Sequence, residues 1–153
     1  MQYIIVILCL LAADQAVEFA LLRLLGMGGS RVLVDGFLSL DVIQNNGIAF
    51  GMLSSSGMLL VCLTSFLIGA LIVYILLKRK SERKAVLIPL TMIAGGALGN
   101  LVDRLRLGYV VDYIHFHIFP YIFNFADICV VLGCFAILIA VMLPQKRGGR
   151  HAR

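Results

Sequence analysis

Charge is scarce in this chain. Of its 153 residues, 14% are charged and 61% are hydrophobic, whereas a soluble domain carries about 25% charged residues. Mean hydropathy is +1.03. This shortage excludes an ordinary soluble domain and implies a single integral-membrane domain over residues 1–153. No Lys or Arg precedes the first apolar run, so the basic region of a cleaved signal peptide is missing and an uncleaved anchor is expected. Cys9, Cys62, Cys129 and Cys134 form no C-x-x-C pair and lie in apolar runs. They read as buried small apolar residues rather than as disulfides or metal ligands. No H-E-x-x-H is present, which argues against zinc hydrolysis. Ser54, Ser55 and Ser56 sit in a loop without a histidine pairing, which argues against a serine nucleophile.

What the chain has is hydrocarbon in four runs. Spans are expected at about residues 3–25, 58–77, 85–103 and 124–143, each able to cross ~30 Å of hydrocarbon. The net charge of +5 is clustered. Lys78, Arg79, Lys80, Arg83 and Lys84 share one short loop, and Lys146, Arg147, Arg150 and Arg153 lie in a basic tail over residues 144–153. Basic groups that flank apolar runs follow the positive-inside rule, and no nucleic-acid partner is implied. Both basic segments belong in the cytoplasm, and with four spans so does the N-terminus. The segments after the first and third spans then lie together on the far side.

The first of these, around residues 31–44, alternates Val32, Val34, Leu38, Leu40 and Val42 about Asp35-Gly36. That pattern reads as a β-hairpin with a tight turn. It would suit either gripping an extended peptide by strand addition or acting as a lid. Asn45-Asn46-Gly47 then marks a further turn, followed by Ile48-Ala49-Phe50-Gly51. The second segment, residues 105–122, is loop-like with strand character at Val110-Val111-Asp112-Tyr113. His115 and His117 invite a metal reading with Asp112. In a strand, however, Asp112 faces away from both, so they read as interfacial and no metal or other cofactor is expected.

Polar residues concentrate at this far end. Asn100, Asp103 and Arg104 share a face at the end of the third span. Asn124 and Asp127 open the fourth, where a helix-capping role is the structural alternative. Asp14 lies roughly 15 Å into the first span at ~1.5 Å per residue, deep enough for a charge to suggest function. Gly95, Gly96 and Gly99 form a small-residue patch in the third span, suited to packing within the chain or to docking a substrate helix. Asp112 and Asp127 are the best chemical pair. Two close carboxylates cannot both ionise cheaply, so one keeps a proton while the other takes a proton from water. The helix dipole favours the anion at Asp127, leaving the shared proton to Asp112.

At these residues the chain resembles the lipoprotein signal peptidases of bacteria, or signal peptidase II. The matching motifs are Asn45-Asn46-Gly47-Ile48-Ala49-Phe50, Gly95-Gly96-Ala97-Leu98-Gly99-Asn100-Leu101-Val102-Asp103-Arg104, Val110-Val111-Asp112 and Phe123-Asn124-Phe125-Ala126-Asp127. The resemblance runs from Asp14-Gln15 to Asp127. It implies a membrane all-α fold of four transmembrane helices with a small extracytoplasmic β-cradle. It also implies an aspartyl endopeptidase of the bacterial cytoplasmic membrane. Its partners would be membrane lipid and the signal peptides of diacylglyceryl-modified prolipoproteins, cut before the lipidated Cys. The enzyme would act as a monomer, with its site at the outer leaflet interface. Asp112 and Asp127 would be catalytic, and Asp14, Asn45, Asn100, Arg104 and Asn124, with Asp103 beside them, would line or support the site. One departure is Glu18, where family members often carry Lys four residues after the first-span Asp. Either Asp14 finds Arg104 or another cation, or one of the two acids is protonated. The alternative class is a small proton-coupled carrier or channel subunit using intramembrane Asp residues. It would need polar groups through the inner halves of the spans, and spans two to four have no charge there.

Overall fold

The protein is described here by a computed structural model covering residues 1–47 and 57–142. The Ile48-Ala49-Phe50-Gly51 end of the second turn motif, Ser54–Ser56 and the basic tail lie outside the described residues. Eight elements follow in order: α1 (Gln2–Leu24), β1 (Ser30–Val34), β2 (Leu38–Asn45), α2 (Gly57–Lys78), α3 (Lys84–Leu107), β3 (Val110–Phe116), β4 (Ile122–Phe123) and α4 (Phe125–Met142). All four helices are long and apolar enough to cross a membrane. Cys129 is buried, but Cys9, Cys62 and Cys134 are exposed on the helix surfaces, contrary to the expectation that all four would be buried. In a bilayer an exposed apolar helix face meets lipid, so outward-facing cysteines carry no solvation cost.

Helix α3 runs past the expected end of the third span, through Arg104 to Leu107. It stops where Gly108 takes a left-handed conformation (φ 83°) and its N–H bonds back to Arg104 O at 3.2 Å. Glycine reaches that conformation without a Cβ clash, which makes it the usual helix terminator. The loop-like segment expected over residues 105–122 is therefore a helix end followed by two strands.

The four strands form one antiparallel sheet in the order β1-β2-β3-β4. The Asp35-Gly36 turn closes the first hairpin as expected, with Gly36 at φ 67°. A two-stranded hairpin is marginal on its own. Here β2 pairs with β3, so the two segments that follow α1 and α3 become one cradle. Both edges of β2 are thereby occupied, and the open edges belong to β1 and β4. Val42, Val111 and Tyr113 are buried beneath the sheet against Leu21 and Leu22 of α1, Leu25 just past its end, Leu107 of α3 and Phe125 of α4. That cluster seats the cradle on the helix ends.

Helix α3 packs against the other three helices. Its glycines explain how. A Cβ on Gly95 would meet Leu10 Cδ1 of α1 at 2.9 Å; one on Gly96 would strike Ala126 O and meet Cys129 Cβ at 3.0 Å in α4; one on Gly99 would strike the Asp14 carboxylate. The small-residue patch is thus filled by α1 and α4 of the same chain, so it is not open to a substrate helix. Gly99→Val should destabilise the protein by about 1–3 kcal/mol through overpacking. Gly69→Ala in α2, where an added Cβ meets nothing within 4 Å, should be neutral or stabilising by up to about 1 kcal/mol. Thermal unfolding of the two variants in detergent checks the contrast.

Candidate active site

The first N–H groups of a helix have no partner within it. At the start of α4 each finds a side chain. Phe125 N–H donates to the Tyr113 hydroxyl at 3.1 Å, Ala126 N–H to Asp14 Oδ1 at 2.9 Å, and Asp127 N–H to Asn124 Oδ1 at 2.8 Å. Asn124 N–H in turn donates to Asp127 Oδ2 at 3.3 Å, completing a reciprocal cap. The capping reading of Asn124 and Asp127 is therefore correct as geometry, and it does not exhaust what they do.

The Asn124 amide is fully buried. Its Nδ2 lies 3.0 Å from Asp112 Oδ1, 2.9 Å from Asn100 Oδ1 and 3.4 Å from Val111 O. Asn100 Nδ2 donates to Asp127 Oδ1 at 2.8 Å. Asn45 Nδ2 donates to Asp112 Oδ2 at 2.7 Å, while its Oδ1 accepts from Gly47 N–H at 2.8 Å, which fixes the turn after β2. Asp112, Asp127, Asn45, Asn100 and Asn124 thus form one hydrogen-bonded group drawn from β2, α3, β3 and the start of α4. Burial pushes the Asp112 carboxyl up to about 7, and the Asp127 charge adds to this, against the hydrogen bonds from Asn45 and Asn124 and the charge of Arg104. Among the described residues two grooves meet here. One, of about 380 Å³, presents Asp127 with Asn100 and Arg104; the other, of about 360 Å³, presents Asp112; Asn45, Tyr121 and Ile122 border both.

Of the remaining expected residues, Arg104 faces the groove, whereas Asp14 and Asp103 bond the backbone of the elements that carry the pair. Arg104 lines the Asp127 groove, and its Nη1 donates to Asn100 O at 3.1 Å. It makes no ion pair within 4.0 Å with Asp14, Asp112 or Asp127 among the described residues. The idea that Asp14 pairs with Arg104 is therefore set aside. Asp14 anchors the start of α4 instead. Asp103 does not share the groove with Asn100 and Arg104. It is fully buried toward α1, accepting from Gln15 Nε2 at 2.9 Å and from Val111 N–H at 3.0 Å. That bond ties the start of β3 to α3, one residue before Asp112. Glu18 is buried beside it and accepts from the same Gln15 amide at 3.1 Å.

Sequence reasoning missed three participants. Gln15 links Glu18 to Asp103, and Tyr113 serves the α4 terminus. His115 and His117, read as interfacial, gather around Asp41 of β2: His115 Nδ1 lies 2.6 Å from Asp41 Oδ2. Alternation along β3 correctly separates them from Asp112, but only the β2–β3 register brings in Asp41.

The family model described as Signal peptidase (SPase) II matches residues 6–143. The chain belongs to the signal peptidase II family. A lipoprotein signal peptidase of Pelotomaculum thermopropionicum is 40% identical over 151 residues, covering 97% of each chain. Another, of Caldanaerobacter subterraneus subsp. tengcongensis, is 36% identical over 147 residues, covering 96% of this chain and 99% of the relative. A bacterial membrane enzyme solved by the in meso method at 1.9 Å superposes with a TM-score of 0.83 at 30% identity, over 94% of both chains. Membership in signal peptidase II sets aside the carrier alternative.

Within this group of residues, Asp14 separates a capping role from a charge role. Asp14→Asn keeps an acceptor for the Ala126 N–H and should hold thermal stability near the parent. Asp14→Ala leaves that buried N–H unpaired and should cost about 1–3 kcal/mol. Unfolding in detergent gives both values.

Proposed function

We propose that the chain removes signal peptides from lipid-modified prolipoproteins by aspartic chemistry, with Asp112 and Asp127 as the catalytic pair. The observation that carries this reading is the Asn124 amide. From one buried position it bonds Asp112 directly and Asp127 through Asn100 and the helix cap. The two carboxyl groups are held beside grooves open to a peptide, in environments that differ. Asp112 is buried on β3, where burial raises it to about 7 and favours it as the holder of the shared proton. Asp127 lies in the first turn of α4, where the helix dipole favours negative charge.

A water between them gives a proton to Asp127 as its oxygen attacks the scissile carbonyl carbon. Asp112 gives its proton to the carbonyl oxygen, forming a neutral tetrahedral diol. On collapse the C–N bond breaks. The nitrogen takes the proton held on Asp127 and leaves as the new N-terminal amine, and Asp112 recovers its proton from the hydroxyl as the carboxylic acid product forms. Asn45 and Asn124 orient Asp112, Asn100 orients Asp127, and Arg104 supplies positive charge at the groove. Asp14 and Asp103 hold α4 and β3 in place. All these groups come from one chain, which suits a monomer.

The basic Lys78–Lys84 loop lies at the opposite helix ends from the cradle. By the positive-inside rule that puts the loop and both termini in the cytoplasm and the site at the outer leaflet of the bacterial membrane. Asp112→Asn and Asp127→Asn should each reduce cleavage of a diacylglyceryl-modified precursor by at least ~10²-fold while leaving the protein folded. Mass spectrometry of the products in detergent measures this. Near-normal turnover in either variant would overturn the pair.

A further inference from the structure

We propose that Asp41, His115 and His117 form a binding site for one divalent transition-metal ion of the zinc type, on the cradle and separate from the Asp112–Asp127 pair. Three features carry it. The first is register. Ser39 of β2 lies opposite His115 of β3; Asp41, two residues further along β2, meets His115 at 2.6 Å, and His117, just past the end of β3, meets Ser39 Oγ at 2.9 Å. Residues two apart share a sheet face, so one face of the β2–β3 pair gathers a carboxylate and two imidazoles.

The second is distance. One ligand atom from each of the three side chains lies within 4.8 Å of the other two. Zinc bonds of about 2.0–2.2 Å place tetrahedral ligand atoms about 3.3–3.6 Å apart. The gap is small enough for side-chain rotation to close. His115 and Asp41 are partly exposed and His117 is exposed, which leaves them room to turn and leaves a coordination position toward solvent. The rings of His115 and His117 already stack with centroids 4.6 Å apart.

The third is the surrounding shell. Asp41 Oδ1 accepts from the Ser30 hydroxyl at 2.5 Å, and Oδ2 accepts from the Ser39 hydroxyl at 2.7 Å. Hydroxyl groups that orient a carboxylate in this way are the usual outer support of a metal ligand. Burial opposes the Asp41 anion, but the hydrogen bonds from Ser30, Ser39 and His115 outweigh it and hold the carboxyl below its ordinary range. Imidazole and carboxylate donors suit zinc and its neighbours rather than calcium or magnesium.

A Ser–His–Asp nucleophile is not formed by the same residues. Ser39 Oγ contacts His117 Nε2 at 2.9 Å, whereas Asp41 contacts the other histidine, and Ser39 is itself buried. An ion here would tie β2 to β3, the two strands that carry Asn45 and Asp112.

Zinc titration against a chromogenic chelator tests the site, using full-length protein in detergent on a tag without histidine. The parent protein should bind one equivalent. His115→Ala and Asp41→Ala should each weaken binding at least tenfold. Replacement of the exposed side chain, His117→Gln, tests the site with the least disturbance of packing and should weaken binding by the same factor. Retained cleavage of the lipopeptide shows that each variant is folded. His151→Ala, which removes the remaining histidine of the chain, should leave affinity unchanged. Cobalt(II) should give ligand-field absorption in the parent and lose it in His117→Gln. Zinc affinity unchanged in His117→Gln, or lost in His151→Ala, would overturn the site and leave the cluster as a hydrogen-bonded pin between strands.

Discussion

The buried amide of Asn124 must satisfy its donors and its acceptor inside a protein that offers little water. A buried polar group without a partner costs about 1–3 kcal/mol, and the penalty grows in an apolar surrounding. Asn124 meets this constraint with Asp112 and Asn100 on its nitrogen and the Asp127 N–H on its oxygen. Each partner belongs to a different element, so satisfying one side chain fixes β3, α3 and α4 against each other. The arrangement that removes the penalty is the same arrangement that places two carboxyl groups beside a groove.

A second layer keeps that hub in place. Asp14 from α1 and Tyr113 from β3 take the first free N–H groups of α4. Asp103 takes the N–H of Val111 and aligns the strand that carries Asp112. Gly96 and Gly99 let α4 and the Asp14 carboxylate approach α3 closely enough for those bonds to form. Helix packing, backbone satisfaction and the carboxyl geometry are therefore one problem with one solution. A change at any layer should reach the pair through its supports.

Much of the fold was legible in the sequence because its signals are local or additive. Hydropathy finds α1, α2 and α4 within a residue or two, Asp35-Gly36 marks its turn, and the clustered lysines and arginines bring the two polar segments to one end. The site was partly legible for the same reason: once charge placement puts Asn100, Asp112, Asn124 and Asp127 at one depth, few partners remain. What escaped depends on facing and register. The spacing of Asn100, Asp103 and Arg104 suggests one shared face, but Asp103 turns to Gln15 of α1 while Arg104 stays at the groove. Asp14 looks like a charge in search of a cation and instead serves a helix terminus. The Asp41–His115–His117 cluster depends on the cross-strand register of β2 and β3, which periodicity within a single strand cannot provide.

The chemistry proposed for the pair rests on one proton shared between unequal carboxyl groups. Burial raises Asp112 to about 7, so its protonated form is favoured below that pH and lost as pH rises through it, the sign required for a group that donates to the substrate carbonyl. The most direct test is infrared difference titration of the carboxylic C=O stretch, comparing the parent protein with Asp112→Asn. A protonated-carboxyl band present at acidic pH, titrating away near pH 7 and absent from Asp112→Asn is the expected result. A parent spectrum identical to that of Asp112→Asn across the same range would mean that Asp112 is already ionised, contradicting the shared proton and the mechanism built on it.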